Sequence, residues 1–390
     1  MITTGNQDLE AARATAINAS GWGTPFKVVQ LRNACFWVLL CGLAAGALQM
    51  LYFYRPGIGA YQTGLGVGVI AFALYTVPWL LLLAHHNKYT TLPAKLFTGA
   101  FAWGALAAAF AMALNANDAL LSLYGKAFGH AWASDWAAGL TAPFTEETAK
   151  ATALILLIGL APRLIRSPFD GLMIGAFAGL GFQILEDVLY AYNGAQTSFG
   201  ADQAGTAAKV VLVRALSGLT GHVLFSAVFC AGLMWLIGRG RTPHRLRGAL
   251  LMAAAMITHG LWDNAASVGT ALAGNFGPVL VLALLPVAAL LLLWLTFRLA
   301  APQEQQWMRD ILAPEVAAGI LTDTEVDAAG GGRARRAYRK TLPGRTGRKT
   351  GRHLITAATD LAQQLALSHG RTSDGVTHAR NEITRLRTTS

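Results

Sequence analysis

Residues 171–192 read GLMIGAFAGLGFQILEDVLYAY. Apart from Gln183, no strongly polar side chain precedes Glu186 in this stretch. At 1.5 Å per residue a helix of this length covers roughly 30 Å of hydrocarbon, so the stretch predicts a membrane span. Gly171, Gly175 and Gly179 recur every fourth residue and form a smooth stripe on which another helix can lie close. Near the far end sits Glu186. A carboxylate in hydrocarbon costs several kcal/mol or more, which makes it a functional-site candidate by default.

Outward from this span, the composition is that of a membrane protein. Hydrophobic residues make up 54% of the 390 and charged ones 13%, about half the share usual in globular proteins. Apolar runs predict eight spans, roughly 34–53, 64–84, 96–114, 136–160, 171–192, 209–237, 248–270 and 278–300. The fold class is therefore all-α, a polytopic bundle of about eight transmembrane helices (34–300) between an N-terminal segment (1–33) and a basic tail (301–390) that is partly helical or disordered. The first 33 residues contain no compact apolar core, so no cleavable signal peptide is expected. Cys35, Cys41 and Cys230 fall within spans and read as small buried apolar residues.

Lys and Arg concentrate in alternate loops: Lys27 and Arg32; Lys88 and Lys95; Arg163 and Arg166; then Arg239, Arg241, Arg245 and Arg247. The other loops offer little beyond Arg55 and Lys126. The positive-inside rule places both termini in the cytoplasm of a multi-pass protein of the cell membrane.

Five of the eleven acidic residues before position 301 lie within predicted spans, and Glu146, Glu147, Glu186 and Asp263 stand out among them. His222 and His259 join them. Counted from the outer ends of their spans, Glu146 lies roughly 15 Å deep, Glu186 about 9, His222 about 20, His259 about 16 and Asp263 about 10. Four spans thus bring polar side chains to a common layer in the outer half of the bilayer. Glu146 shares a helix face with Lys150, Phe182 with Glu186, and His259 with Asp263. Glu147 is rotated about 100° from Glu146, so the two carboxylates point apart unless the helix is distorted, for which Pro143 is the obvious cause.

These residues carry a resemblance. Glu146-Glu147-x-x-Lys150, then Phe182-x-x-x-Glu186, then His222, then His259-x-x-x-Asp263 is similar to the ordered motifs of the PrsW family of intramembrane proteases, related to the CAAX prenyl-protease and bacteriocin-immunity group. The resemblance covers roughly 135–270. It implies an intramembrane endopeptidase acting on membrane-embedded or membrane-adjacent protein, in the best-known members a single-span anti-sigma factor. It also marks Glu146, Glu147, Glu186, His222 and His259 as functional, with Lys150, Asp263 and Phe182 in support.

Peptide hydrolysis needs an activated water, a group to stabilise the oxyanion and a proton for the leaving amine. Glu146 is the expected general base, with Glu186 sharing the water or orienting a histidine. His222 and His259 either polarise the carbonyl or, with Glu186, ligate a zinc ion, since two His and one Glu suit a catalytic zinc site. No HExxH occurs in the chain, and the metal-free glutamate route is preferred on that ground. Neither the GxSG serine of a rhomboid nor the YD and GxGD aspartates of a presenilin-type protease is present.

Structural readings compete. Glu146 and Glu147 can serve as an ion pair with Lys150, Glu186 can pair with Arg214, and Asp187 can be solvated or paired. A membrane histidine is often only a helix–helix hydrogen-bonding group. The rival function is a non-enzymatic scaffold or a proton- or cation-coupled transporter built on the same layer. No inverted repeat relates the halves: spans one to three hold no acid, and four to seven hold five.

The tail differs in kind. Thr322-x-x-Glu325 has the form of a capping box. GGGRARRAYRKTLPGRTGRKTGRH packs nine Lys and Arg without an acid, and HLITAATDLAQQLALSH has amphipathic helical spacing. Anionic lipid is the expected partner of the basic stretch. Nucleic acid is the weaker reading, because Tyr338 is the stretch's lone aromatic.

Overall fold

The computed structural model describes residues 2–87, 92–240 and 244–388; of residues 2–6 only the backbone is described. Lys88 and Arg241, two of the loop charges used above, lie outside the described residues. The described secondary structure is entirely helical. In chain order it comprises α1 (Ile2–Ser20), α2 (Ala34–Tyr54), α3 (Gln62–His86), α4 (Ala94–Ala102), a π-helical stretch (Trp103–Ala113) and α5 (Leu114–Phe128). There follow α6 (His130–Leu160), α7 (Pro168–Thr197), α8 (Gln203–Ser217), α9 (His222–Leu236), α10 (Arg245–Asp263), α11 (Ala265–Ala273) and α12 (Gly277–Ala317). The tail forms α13 (Asp323–Gly330), α14 (Gly332–Thr341), α15 (Gly344–Leu367) and α16 (Asp374–Thr388).

Six stretches are long and apolar enough to cross a membrane: α2, α3, Ala94–Phe128, α7, Gln203–Leu236 and Ala265–Ala317. The chain is a multi-pass membrane protein. The remaining two of the eight anticipated spans correspond to α6, 31 residues long, and α10, 19 residues long. α6 is less apolar than the six because Glu146, Glu147 and Lys150 share its middle, the side chains that build the buried centre.

Burial sorts the helices into centre and ring. Of the most apolar window of α7, 83% is buried within the protein, against 11% for α2 and 17% for Ala265–Ala317. The corresponding window of Gln203–Leu236 is 83% buried as well, so α7 and α9 form the centre, while the outward Leu, Val and Trp side chains of α2, α3 and α12 form the lipid-facing surface. The glycine stripe explains the packing. A Cβ at Gly171, Gly175 or Gly179 would stand 2.7, 2.2 and 2.4 Å from the carbonyl oxygens of Cys230, Ser226 and His222, so the backbones of α7 and α9 touch there. Gly175→Val is expected to drive these helices apart and cost about 1–3 kcal/mol or more, read as lost monodisperse protein and a lowered detergent melting temperature. A variant that melts with the wild type would show that the stripe does not set this packing.

Two of the anticipated spans are broken. The 209–237 span divides at Gly218–Gly221 into α8 and α9 around a short 3₁₀ turn, leaving His222 at the first position of α9. The 248–270 span breaks between Asp263 and Ala265. By contrast α6 runs unbroken through Pro143, and no break marks residue 300, because α12 continues to Ala317.

The basic loops gather at one end. Gln30 donates to Leu160 O and Asn33 to Gly159 O, both through side-chain amides, while Arg239 donates to Ile165 O. At the opposite end, Gln203 donates to Ala60 O.

At the basic end, α1 and the tail build a second core that the sequence boundaries had kept apart. Ala16, Ile17 and Trp22 pack with Trp307, Ile311 and Leu312 of α12 and with Leu354, Leu361 and Leu365 of α15. The apolar face of the amphipathic stretch is thereby spent on protein contacts. Buried Glu315 joins the parts, accepting from Arg13 at 2.8 Å and from Arg380 at 2.7 and 2.8 Å. Thr322 and Glu325 form the capping box that opens α13.

Candidate active site

Four helices of the bundle place the centre. α6 contributes Glu146, Glu147 and Lys150, α7 contributes Phe182, Glu186 and Asp187, α9 begins with His222, and α10 ends with His259 and Asp263. Glu147, Lys150 and His259 are fully buried. An unbroken α6 turns the two glutamates in different directions, as the 100° rotation requires. Glu146 Oε1 accepts from the Asn117 amide at 3.1 Å, and its Oε2 lies 3.6 Å from His222 Nδ1 and 3.7 Å from His259 Nε2. Glu147 Oε2 accepts from the Ser226 hydroxyl at 2.8 Å, and its Oε1 lies 2.7 Å from Lys150 Nζ and 3.0 Å from His259 Nδ1.

Each histidine has one ring nitrogen facing Glu146 and the other facing a different carboxylate. For His222 the outer nitrogen, Nε2, is 2.8 Å from Glu186 Oε2. For His259 it is Nδ1, beside Glu147. Phe225 stacks on the His259 ring at 5.0 Å between centroids, and Phe182 covers His222 at 5.1 Å. Carboxylates on the outer nitrogens and aromatic rings on the faces fix both imidazoles in orientation.

Glu186 is more committed than a free catalytic acid. Arg214 donates to it at 2.6 Å and also to Asp187, while its guanidinium lies over the Tyr190 ring at 4.4 Å. The pairing of Glu186 with Arg214 is thus real, but it coexists with the bond to His222. Asp187 is fully buried in this clamp. A cavity of about 240 Å³ opens onto the group, walled by Asn117, Glu146, Glu186, Arg214, His222 and Asp263 among others.

Asn117 falls beyond the 96–114 run, which the structure extends to Phe128, and Ser226 and Phe225, single polar and aromatic residues in an apolar helix, carry no local signature in the sequence. Asn264 was missed for the same reason: it accepts from Gly139 N at 2.9 Å and donates to Trp136 O at 3.0 Å, locking α10 to α6 beside the site.

The donor set fits a metal ion. Glu146, His222 and His259 each offer one ligand atom, all within 4.8 Å of one another. Donors held tetrahedrally at about 2.0–2.1 Å from zinc stand roughly 3.3–3.4 Å apart, close to the 3.6 and 3.7 Å measured from Glu146 Oε2. Glu146 Oε2 and the inward Nε2 of His259 are buried without a hydrogen-bond partner. Charge points the same way, since among the described residues five carboxylates (Glu146, Glu147, Glu186, Asp187 and Asp263) face two permanent cations, Lys150 and Arg214. The anticipated trio of His222, His259 and Glu186 is not the one brought together. Glu146 takes the third place because Arg214 and the outer nitrogen of His222 hold Glu186 away.

Fold and site together define a multi-pass membrane protein with a buried carboxylate–histidine centre. Residues 92–291 match the PrsW family of intramembrane metalloproteases, and the chain belongs to that family. No curated protein and no solved structure matches it.

Proposed function

We propose that the protein is a metal-dependent intramembrane endopeptidase that cuts a membrane-embedded or membrane-adjacent segment of a single-span protein, an anti-sigma factor being the class that the family resemblance suggests. The convergence of Glu146, His222 and His259 on one buried point, each histidine backed by its own carboxylate, carries this reading. The proposed topology has eight crossings and both termini in the cytoplasm, which puts the cavity toward the outer side.

Glu146, His222 and His259 would hold the ion, and zinc suits two imidazoles and a carboxylate. When bound, it supplies a more acidic water and polarises the scissile carbonyl. Glu147 and Glu186 keep the inward nitrogens of the histidines unprotonated by holding the ring protons on the outer ones. Asn117 fixes the orientation of Glu146. Asp263 lines the cavity 3.5 Å from His259 Nε2 and takes the proton of the attacking water, passing it to the leaving nitrogen. The surrounding apolar helices limit water to the cavity.

One observation favours a second, metal-free reading. Lys150 Nζ stands 3.1 Å from His222 Nδ1, on the same inward side, so an ammonium already supplies a cation there. In that case Glu146 is the general base. Cleavage of single-span substrates by purified protein in liposomes, with chelation and zinc add-back, decides between the two. Loss on chelation with recovery in zinc supports the metal site, whereas indifference to both overturns it.

Arg214→Gln removes the permanent cation from Glu186 and Asp187. Its own side chain is 22% exposed, but the substitution strands the fully buried carboxyl of Asp187, so a stability cost of about 3 kcal/mol is expected. Cleavage should fall at least tenfold as Glu186 loses its grip on His222, and Arg214→Lys should recover part of it. Wild-type cleavage by the glutamine variant would remove Arg214 from the site.

A further inference from the structure

We infer that the outer face of α14 and the start of α15 bind the headgroups of anionic phospholipids in the bilayer that holds the bundle. Between 333 and 352 the chain carries nine Lys and Arg and no Asp or Glu. Arg335 turns inward, donating to Ala328 O and Ala329 O, and Tyr338 packs into the tail core against Gly351. Arg336 and Lys340, four residues apart, project away from that inward side, and Arg339 flanks it. With Arg348 of α15 they line a groove of about 440 Å³. All four are exposed, and among the described residues none pairs with a carboxylate.

Position selects the partner. Gly330 and Gly331 lie against Gln305, so α14 starts beside α12 only about one turn beyond the end of that helix's continuous apolar run at 299–301. The groove is therefore tethered near the membrane surface by a continuous helix. Phosphodiester headgroups meet such cations at high local density, and each cation near an anionic surface strengthens association roughly fivefold. Single-stranded nucleic acid would call for exposed aromatic platforms, and Tyr338, the lone aromatic of α14 and α15, is turned into the core. The tail's apolar faces are consumed by its own core, so charge is what this face has to offer. The inference does not depend on the protease reading.

The test is hydrogen exchange of the full-length protein in nanodiscs of pure phosphatidylcholine and of phosphatidylcholine with about 30% phosphatidylglycerol, which supplies an anionic surface. Amides of 333–350 are expected to exchange at least threefold more slowly in the anionic discs. High salt, or the combined variant Arg336→Gln, Arg339→Gln, Lys340→Gln and Arg348→Gln, should erase that difference. Unchanged exchange across 355–386 shows that the variant's tail is still folded. Equal exchange in both discs overturns the inference. So does protection by free inorganic phosphate in neutral discs, which would mark an ion site, or protection by an oligonucleotide alone.

Discussion

Glu146→Gln is expected to lower cleavage by at least about 10³-fold while leaving the bundle folded, because the substitution preserves size and the Asn117 contact. The expectation holds for both chemistries. An amide is a poor ligand for zinc beside two imidazoles, and it cannot accept a proton as a general base. Glu146 Oε2 makes no hydrogen bond, and the one permanent cation beside it, Lys150 at 3.6 Å, keeps its closer pair with Glu147 at 2.7 Å, so the melting temperature should move little. Bound zinc distinguishes the routes: under the metal reading the variant co-purifies with far less metal, and under the metal-free reading neither protein contains it. Substantial cleavage by Glu146→Gln, measured on a substrate the wild type cuts, would remove Glu146 from the chemistry.

Lys150→Met is expected to have the largest effect on stability. Lys150 and Glu147 are both fully buried and stand 2.7 Å apart. Removing one partner of such a pair leaves an uncompensated charge in a low-dielectric interior, which typically costs about 3–5 kcal/mol. The variant should melt several degrees lower in detergent and give less folded protein. Zinc adds a further readout, because Lys150 Nζ also lies 3.1 Å from His222 Nδ1, where it competes with a metal for that nitrogen. Added zinc should therefore stabilise Lys150→Met more than it stabilises the wild type. A variant that melts with the wild type would show that Glu147 is neutral in the folded protein.

The residues of the centre were legible because hydrocarbon makes polarity conspicuous. Glu146, Glu147, Glu186, His222, His259 and Asp263 each stand out against apolar neighbours, and helical counting placed them at similar depth. The glycines of α7 were readable in the same way, as a stripe that only a closely packed helix would require. Asn117 and Ser226 were not: Asn117 falls beyond the 96–114 run, and nothing local separates Ser226 from an ordinary polar residue in a span.

The sequence by itself determined the helical membrane class, the family motifs and the identity of the charged residues to be reconciled within the bundle, because span length and the cost of burying charge are local properties. Tertiary structure decided which atoms meet. It put Glu146 rather than Glu186 between the histidines, because Arg214 on a separate helix captures Glu186. It broke the chain at Gly218–Gly221, so that His222 heads α9. And it joined α1 to the tail through Arg13, Glu315 and Arg380, a contact between residues some 300 positions apart that no local pattern encodes.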